Sequence, residues 1–268
     1  MTRISEPAPA KLNLALHVRR KREDGRHDLE TIFAFCTDGD ILHAQPAATI
    51  SLEIDGPFAG ALSGEEDNLV TAAAKSLART AAVAGGARLT LTKNLPVASG
   101  IGGGSADAAA TLRLLTRLWQ IDPSHALQVA PTLGSDVPAC LLSMTSRGEG
   151  AGDHLALVDA GVAGAPVLLV NPGATLSTGT VFAAWDGVDR GPLADWREGR
   201  NDLETPARSI VPVIGDVLNW LAAQEGASLA RMSGSGATCF ALFESEASRE
   251  KAAETCPQDW WHLATFLR

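Results

Sequence analysis

The sequence predicts an α+β protein of two domains, and three observations predict it. A strand pattern at Ala87–Thr92 runs through a glycine cluster into a helical pattern that starts near Ser105. A small-residue, turn-rich segment at Val158–Pro166 places a boundary that divides the chain into 1–160 and 161–268. The second part then alternates strand and helix patterns of ordinary length.

Lys11–Arg19 alternates strictly, with Leu12, Leu14, Leu16 and Val18 on one face and Lys11, Asn13, Ala15, His17 and Arg19 on the other. The default for such a strand is a solvated polar face. Asp24-Gly25 marks a hairpin turn inside a basic run, and Thr31–Cys36 reads as the return strand. Short strands follow at Ile41–Ala44 and Thr49–Ile54. Asp67 or Asn68 caps a helix that runs to about Ala84 before Gly85-Gly86.

Gly100, Gly102, Gly103 and Gly104 leave no side chain between a ligand and the backbone. Ala108, Leu112 and Leu115 then fall at helical spacing. A glycine loop feeding a helix aims free N–H groups and the positive dipole end at one spot, which suits a phosphate. Better-known loops are excluded. No lysine lies between Asn94 and Leu115, as a Walker A loop requires, and Ser105 stands where a dinucleotide fingerprint read from Gly100 needs glycine. A nucleophile elbow on Ser105 needs glycine at Asp107. The plainer alternative is a surface loop capped by Ser105.

Farther on, Ser124 caps a second helix that ends near Gly134, and Gly134–Ala139 is a tight turn holding Asp136. Taken alone, Asp136 is a turn or cap aspartate. Arg147–Asp153 is another glycine-rich turn. The second part reads as strand Val167–Val170, helix Thr178–Trp185, a polar stretch around Asn201–Glu204 and helix Val213–Gln224. Strand Ser228–Met232, turn Ser233–Gly236, strand Thr238–Phe243, helix Glu246–Thr255 and strand Trp261–Phe266 complete it. That order suggests a ferredoxin-like layer.

Lys plus Arg number 22 against 31 Asp plus Glu, a net charge of −9 that argues against nucleic acid or an anionic membrane as the main partner. No apolar run approaches the roughly 20 residues that span a bilayer. The N-terminus has no hydrophobic signal region. Cys36, Cys140, Cys239 and Cys256 form no metal or disulfide pattern, so they read as reduced residues of a cytoplasmic protein. The six histidines show no ligand spacing, which argues against a protein-held transition metal.

Three motifs stand in order: P-A-K-L-N-L at 9–14, L-P-x-x-S-G-I-G-G-G-S-A-D-A-A at 95–109, and R-M-S-G-S-G-A-T-C-F at 231–240. Together they resemble the signatures of the GHMP small-molecule kinases. The additional segments D-G-x-H-x-L-E-T-x-F at 24–33, G-S-D-V-P at 134–138, G-E-G-x-G-D at 148–153 and N-D-L-E at 201–204 resemble the branch acting on a cytidyl-diphosphate sugar alcohol. The resemblance implies a two-domain GHMP kinase fold. Its N-terminal domain is like domain 2 of ribosomal protein S5, and its C-terminal domain is ferredoxin-like.

It also implies roles. Ser99, Gly100, Ile101, Gly102, Gly103, Gly104 and Ser105 wrap the ATP phosphates, with Lys93, Pro96, Val97 and Ala98 completing the ATP site. Asp136 is the general base, with Lys11 beside it. Asn13 and His27 face the cytidine end of the substrate. The turn Ser233–Gly236 closes over the site, and Mg²⁺ arrives with ATP.

Two departures stand out. Where the family usually has a tyrosine packing on the cytosine ring, this chain has Arg26, and it has no tyrosine at all. A guanidinium can stack on a base, and Phe33 and Phe182 are the other candidates for the nucleobase wall. Ala106 stands where many members carry a second serine, which leaves Ser105 as the hydroxyl there. The open alternatives are a homoserine- or mevalonate-type kinase of the same family and a nucleotide-binding module without catalysis. The sequence leaves the oligomeric state open.

Overall fold

The structure is a computed structural model, and it describes residues 3–62 and 68–268. The chain forms two compact units whose segments interleave. One comprises the residues up to Ala10, Asp38–Val97 and Gly102–Ser143; the other comprises Lys11–Thr37, Ala98–Ile101 and Met144–Arg268. Two long strands, β1 (Ile4–Lys21) and β2 (His27–Ala47), contribute residues to both.

In the first unit, β4 (Gly86–Thr92) pairs antiparallel with Ile41–Ala47 of β2 and parallel with β3 (Ser51–Asp55). The predicted strand at Ile41–Ala44 is therefore the far end of β2. Four helices pack together: α1 (Leu69–Thr80), α2 (Gly103–Trp119), α3 (Ser124–Leu133) and α4 (Val137–Leu142). Asn68 caps α1 by accepting from the Val70 N–H, while Asp67 lies outside the described residues. α2 buries Ala106, Ala108, Ala109 and Ala110, side chains small enough for close helix contact. Arg113 on α2 donates to Glu6 at the start of β1 and to the Cys140 carbonyl at the end of α4, where a cation satisfies a carbonyl that the helix leaves open. Ser124 is not a cap. It is the first residue of α3, and its N–H donates to Asp122.

In the second unit, β5 (Ser146–Gly150) pairs with Leu29–Phe33 of β2 and with β6 (His154–Leu157). The expected glycine-rich turn at Arg147–Asp153 is thus mostly strand. Its glycines serve packing: a Cβ on Gly148 would lie 2.6 Å from the Phe33 ring. A four-stranded antiparallel sheet follows in the order β10 (Trp261–Phe266), β7 (Pro166–Asn171), β9 (Cys239–Phe243), β8 (Ala227–Met232). With α7 (Val213–Ala222) and α8 (Glu246–Glu254) packed against it, this is the ferredoxin-like arrangement. Leu168, Val170, Val217, Leu221, Ala241 and Ala252 meet in its core. Two shorter helices, α5 (Thr178–Ala183) and α6 (Glu204–Ile210), complete the unit.

Both faces of β1 are buried from Ala8 to Val18, so the expected solvated polar face does not exist. Lys11, Asn13 and His17 are enclosed with the leucines. The basic hairpin does behave as a solvated tip: Arg20 and Arg22 pair with Asp28 around the Gly25 turn.

Arg231 on β8 is buried and forks onto the carbonyls of Leu14, Trp196, Arg197 and Gly199. No other side chain presents five donors in one plane. Arg231→Lys should therefore lower the unfolding free energy by about 2–3 kcal/mol, because it leaves buried carbonyls without donors. Equilibrium denaturation in urea checks this, and an unchanged midpoint would refute it.

Candidate active site

The expected phosphate loop is split between the units, Ala98–Ile101 in the second and Gly102–Ser105 in the first. Gly102 is in the left-handed region at φ 65° and takes the N-cap position of α2, without a side-chain cap. Gly103, Gly104 and Ser105 are then the first turn. The helix begins two residues earlier than expected, and Ser105 lies within it rather than capping it. Its first N–H groups face no capping side chain, the arrangement that suits an anion.

Lys93, which directly follows β4, is fully buried beneath this turn. Its ammonium donates to Asp40 Oδ2 at 2.5 Å and to Asp107 Oδ2 at 2.6 Å. Asp40 Oδ1 also accepts the N–H groups of Asn94 and Leu95, which shapes the chain leading to Pro96 and Val97. Burial raises the Asp107 carboxyl to about 7, against the pull of the Lys93 charge. Burial alone would lower the Lys93 pKa, but the two carboxylates outweigh it and the net direction is upward. Asp136 occupies the N-cap position of the short α4 and is half-buried.

In the second unit, Ala98–Ile101 lies against the turn Ser233–Gly236. Ser233 Oγ donates to the Gly100 carbonyl, and the Thr238 N–H donates to the Ser99 carbonyl. A Cβ on Gly100, at φ 79°, would come within 2.6 Å of the Ser233 and Gly236 carbonyl oxygens. Only glycine fits there. The Ile101 carbonyl accepts the Lys11 N–H. Lys11 Nζ donates to Asn13 Oδ1 at 2.9 Å and stands 5.4 Å from the centre of the Phe33 ring. Asn13 Nδ2 donates to Thr31 Oγ1, which donates in turn to the Ala15 carbonyl. Lys11, Asn13 and Phe33 are thus one buried group, and hydrogen bonds fix Asn13 in one orientation.

His27 stacks on Phe182 at 4.8 Å between ring centres and meets the edge of Trp185 at 5.6 Å. Arg26 is not part of this cluster; it pairs with Asp24 on the exposed hairpin tip. The aromatic neighbours of His27 are Phe182 and Trp185. The sequence reading passed over Trp185, although it follows Phe182 at helical spacing. Asp40 and Asp107 were also missed. The available signal was Asp107, an acidic residue among the buried alanines Ala106, Ala108, Ala109 and Ala110 that open α2. Asn201 and Asp202 stitch β1 to β8: Asn201 Nδ2 donates to the Met232 and Gly234 carbonyls, and Asp202 accepts the Val18 N–H.

Residues 68–144 match the family described as GHMP kinases N terminal domain, and residues 188–262 match GHMP kinases C terminal. The chain belongs to the GHMP kinase family. Within it, the chain is 56% identical to the 4-diphosphocytidyl-2-C-methyl-D-erythritol kinase of Rhizorhabdus wittichii, over 98% of this chain and 94% of that one. It is 50% identical to the protein of the same name from Novosphingobium aromaticivorans, over 99% and 93%. A crystal structure of 4-(cytidine 5'-diphospho)-2C-methyl-D-erythritol kinase superposes with a TM-score of 0.82 at 34% identity, covering 98% and 99% of the two chains. Homoserine kinase from Cytophaga hutchinsonii shares the fold, with a TM-score of 0.73 at 17% identity over 100% and 95%.

Burial, reinforced by the charge of Lys21, lowers the His27 pKa below its ordinary 6.5. At pH 7 the ring is therefore neutral, with one nitrogen donating and the other accepting. As pH falls through the lowered midpoint, that pair becomes two donors. NMR titration should place the His27 midpoint below 6.5, and Lys21→Gln should move it upward. A midpoint at or above 6.5 would refute this account.

Proposed function

We propose that this chain is an ATP-dependent kinase that phosphorylates the 2-hydroxyl of 4-diphosphocytidyl-2-C-methyl-D-erythritol, a step toward isoprenoid precursors by the non-mevalonate route. One observation carries the reading: an uncapped Gly102–Ser105 turn opens a 17-residue helix in a chain that shares 56% of its residues with a kinase of that name along nearly its whole length. The domain boundary near residue 160 belongs to the same proposal, since it falls between the two family matches at 68–144 and 188–262.

The substrate oxygen forms a bond to the γ-phosphorus as the bond from that phosphorus to the bridging oxygen of ADP breaks. Asp136 takes the proton from the hydroxyl, which is a poor nucleophile without a base. Lys11 offsets negative charge as it develops. The main-chain amides from Gly102 to Ser105 bind the triphosphate; Ser99, Gly100 and Ile101 shape its approach, and Pro96, Val97 and Ala98 line the nucleotide. His27, Phe182 and Asn13 hold the cytidine end, His27 reading a base edge with its donor and acceptor. Phe33 supports Lys11, and Arg26 stays at the hairpin tip.

Among the described residues, no group of three or more His, Cys, Asp or Glu is gathered around a metal. The Ser105 hydroxyl in the first helical turn suits a hard cation that keeps water and phosphate oxygens as its other ligands. Mg²⁺ bound there with ATP would neutralise phosphate charge.

Asp136→Asn should lower turnover by about 10²–10⁴-fold while ATP affinity stays within about twofold. Turnover near that of the unmodified enzyme would remove Asp136 as the base. ADP release should depend on the cytidyl substrate. Equal or faster release with homoserine or mevalonate would overturn the substrate assignment.

A further inference from the structure

The Asp40–Lys93–Asp107 cluster is not accounted for by the phosphate loop or the general base. It joins three elements: Asp40 on β2, Lys93 just after β4, and Asp107 in the first turns of α2. All three side chains are buried. A charged cluster of this kind is held only where its geometry and hydrogen bonds offset the loss of water.

Two further observations connect the cluster to the loop. A Cβ on Gly103 would meet Lys93 Nζ at 3.1 Å and Asp40 Oδ2 at 3.8 Å, so the first turn of α2 packs over the cluster with no room for an unstrained side chain between them. In addition, Asp107 Oδ1 is buried without a hydrogen-bond partner. An unsatisfied buried oxygen is costly, and an apolar residue there would avoid that cost. Such a cost is expected where a site needs its backbone held in one place.

We propose that Lys93, gripped by Asp40 and Asp107, is a positioning residue for the phosphate loop: it supports Gly103 from beneath, so that the amides of Gly102–Ser105 keep their spacing for the triphosphate, and it does not contact the nucleotide. The inference rests on the reading of that turn as the triphosphate site. The glycine at 103 fits this role, since even a methyl group there would press on the ammonium at 3.1 Å and shift it against its two carboxylates. Lys93 acts through the backbone, so its effect falls on phosphate binding and leaves base binding alone.

The test compares ATP with adenosine, which has the base and ribose but no phosphate, by calorimetry on the full-length enzyme. Lys93→Met combined with Asp107→Asn removes one charge of each sign, so the formal charge of the cluster is unchanged. Asp40 keeps its bonds from the Asn94 and Leu95 N–H groups. The double variant should bind ATP at least about tenfold more weakly while adenosine stays within about twofold. Gly103→Ala keeps all three charges and should show the same split, which preserves the test if the double variant does not fold. Asp107→Asn alone keeps an acceptor for Lys93 and should hold ATP affinity within about threefold.

Equal weakening of ATP and adenosine would place Lys93 on the base and overturn the proposal, as would unchanged ATP affinity in both the double variant and Gly103→Ala. A loss in Asp107→Asn as large as in the double variant would overturn it too. The underlying reading fails separately: unmodified enzyme binding ATP no more tightly than adenosine would mean that the turn is not a phosphate site.

Discussion

An ammonium held between two carboxylates sets the terms for the first unit. Lys93, Asp40 and Asp107 come from a strand end, a neighbouring strand and a helix, and their charges must meet because none of them reaches water. Once they meet, the start of α2 is fixed against the sheet. The chain between β4 and the glycines is fixed as well, since Asp40 also holds the Asn94 and Leu95 amides.

The second unit holds its loop and the Lys11 ammonium through hydrogen bonds from neutral groups rather than through an ion cluster. Ser233 and Thr238 hold Gly100 and Ser99 by main-chain carbonyls, Asn201 holds the turn that carries Ser233, and Asn13 and Thr31 hold Lys11. Each donor is matched to an acceptor at ordinary distance, which is what buried polar groups require. The motif at 201–204 therefore has a structural reading, as stitching between β1 and β8, and needs no role in substrate contact.

Much of this was legible in the sequence, for reasons that also explain what was not. Trp261–Phe266 was bounded correctly, because a short run with aromatic residues at both ends and a turn before it has few competing readings. α4 and α6 were missed because each is short and opens among residues that read as turn: Gly134, Ser135 and Asp136 before one, Asn201 and Asp202 before the other. β5 was hidden by Gly148 and Gly150, whose lack of a side chain makes room for Phe33 and a turn rather than ending the strand. The polar face of β1 was placed in solvent because alternation reports the period of a strand and not what covers it. The family motif alone marked Lys11 and Asn13 as candidate site residues, since alternation by itself put them on a solvated face. The partners of Lys93 were not legible, since Asp40 is fifty-three residues away in sequence and no local pattern links them.

The interleaving of the units has a consequence for synthesis on the ribosome. Every segment of the first unit has been made once Ser143 has emerged, whereas the second needs Lys11–Thr37 together with residues up to Arg268. Leu16 and Val18 of the amino-terminal strand belong to the core that the last β-α-β elements complete, so they must wait for those elements to arrive. Neither unit could be produced from a single uninterrupted gene fragment, and a nascent chain stalled midway would leave Leu16 and Val18 without their core partners.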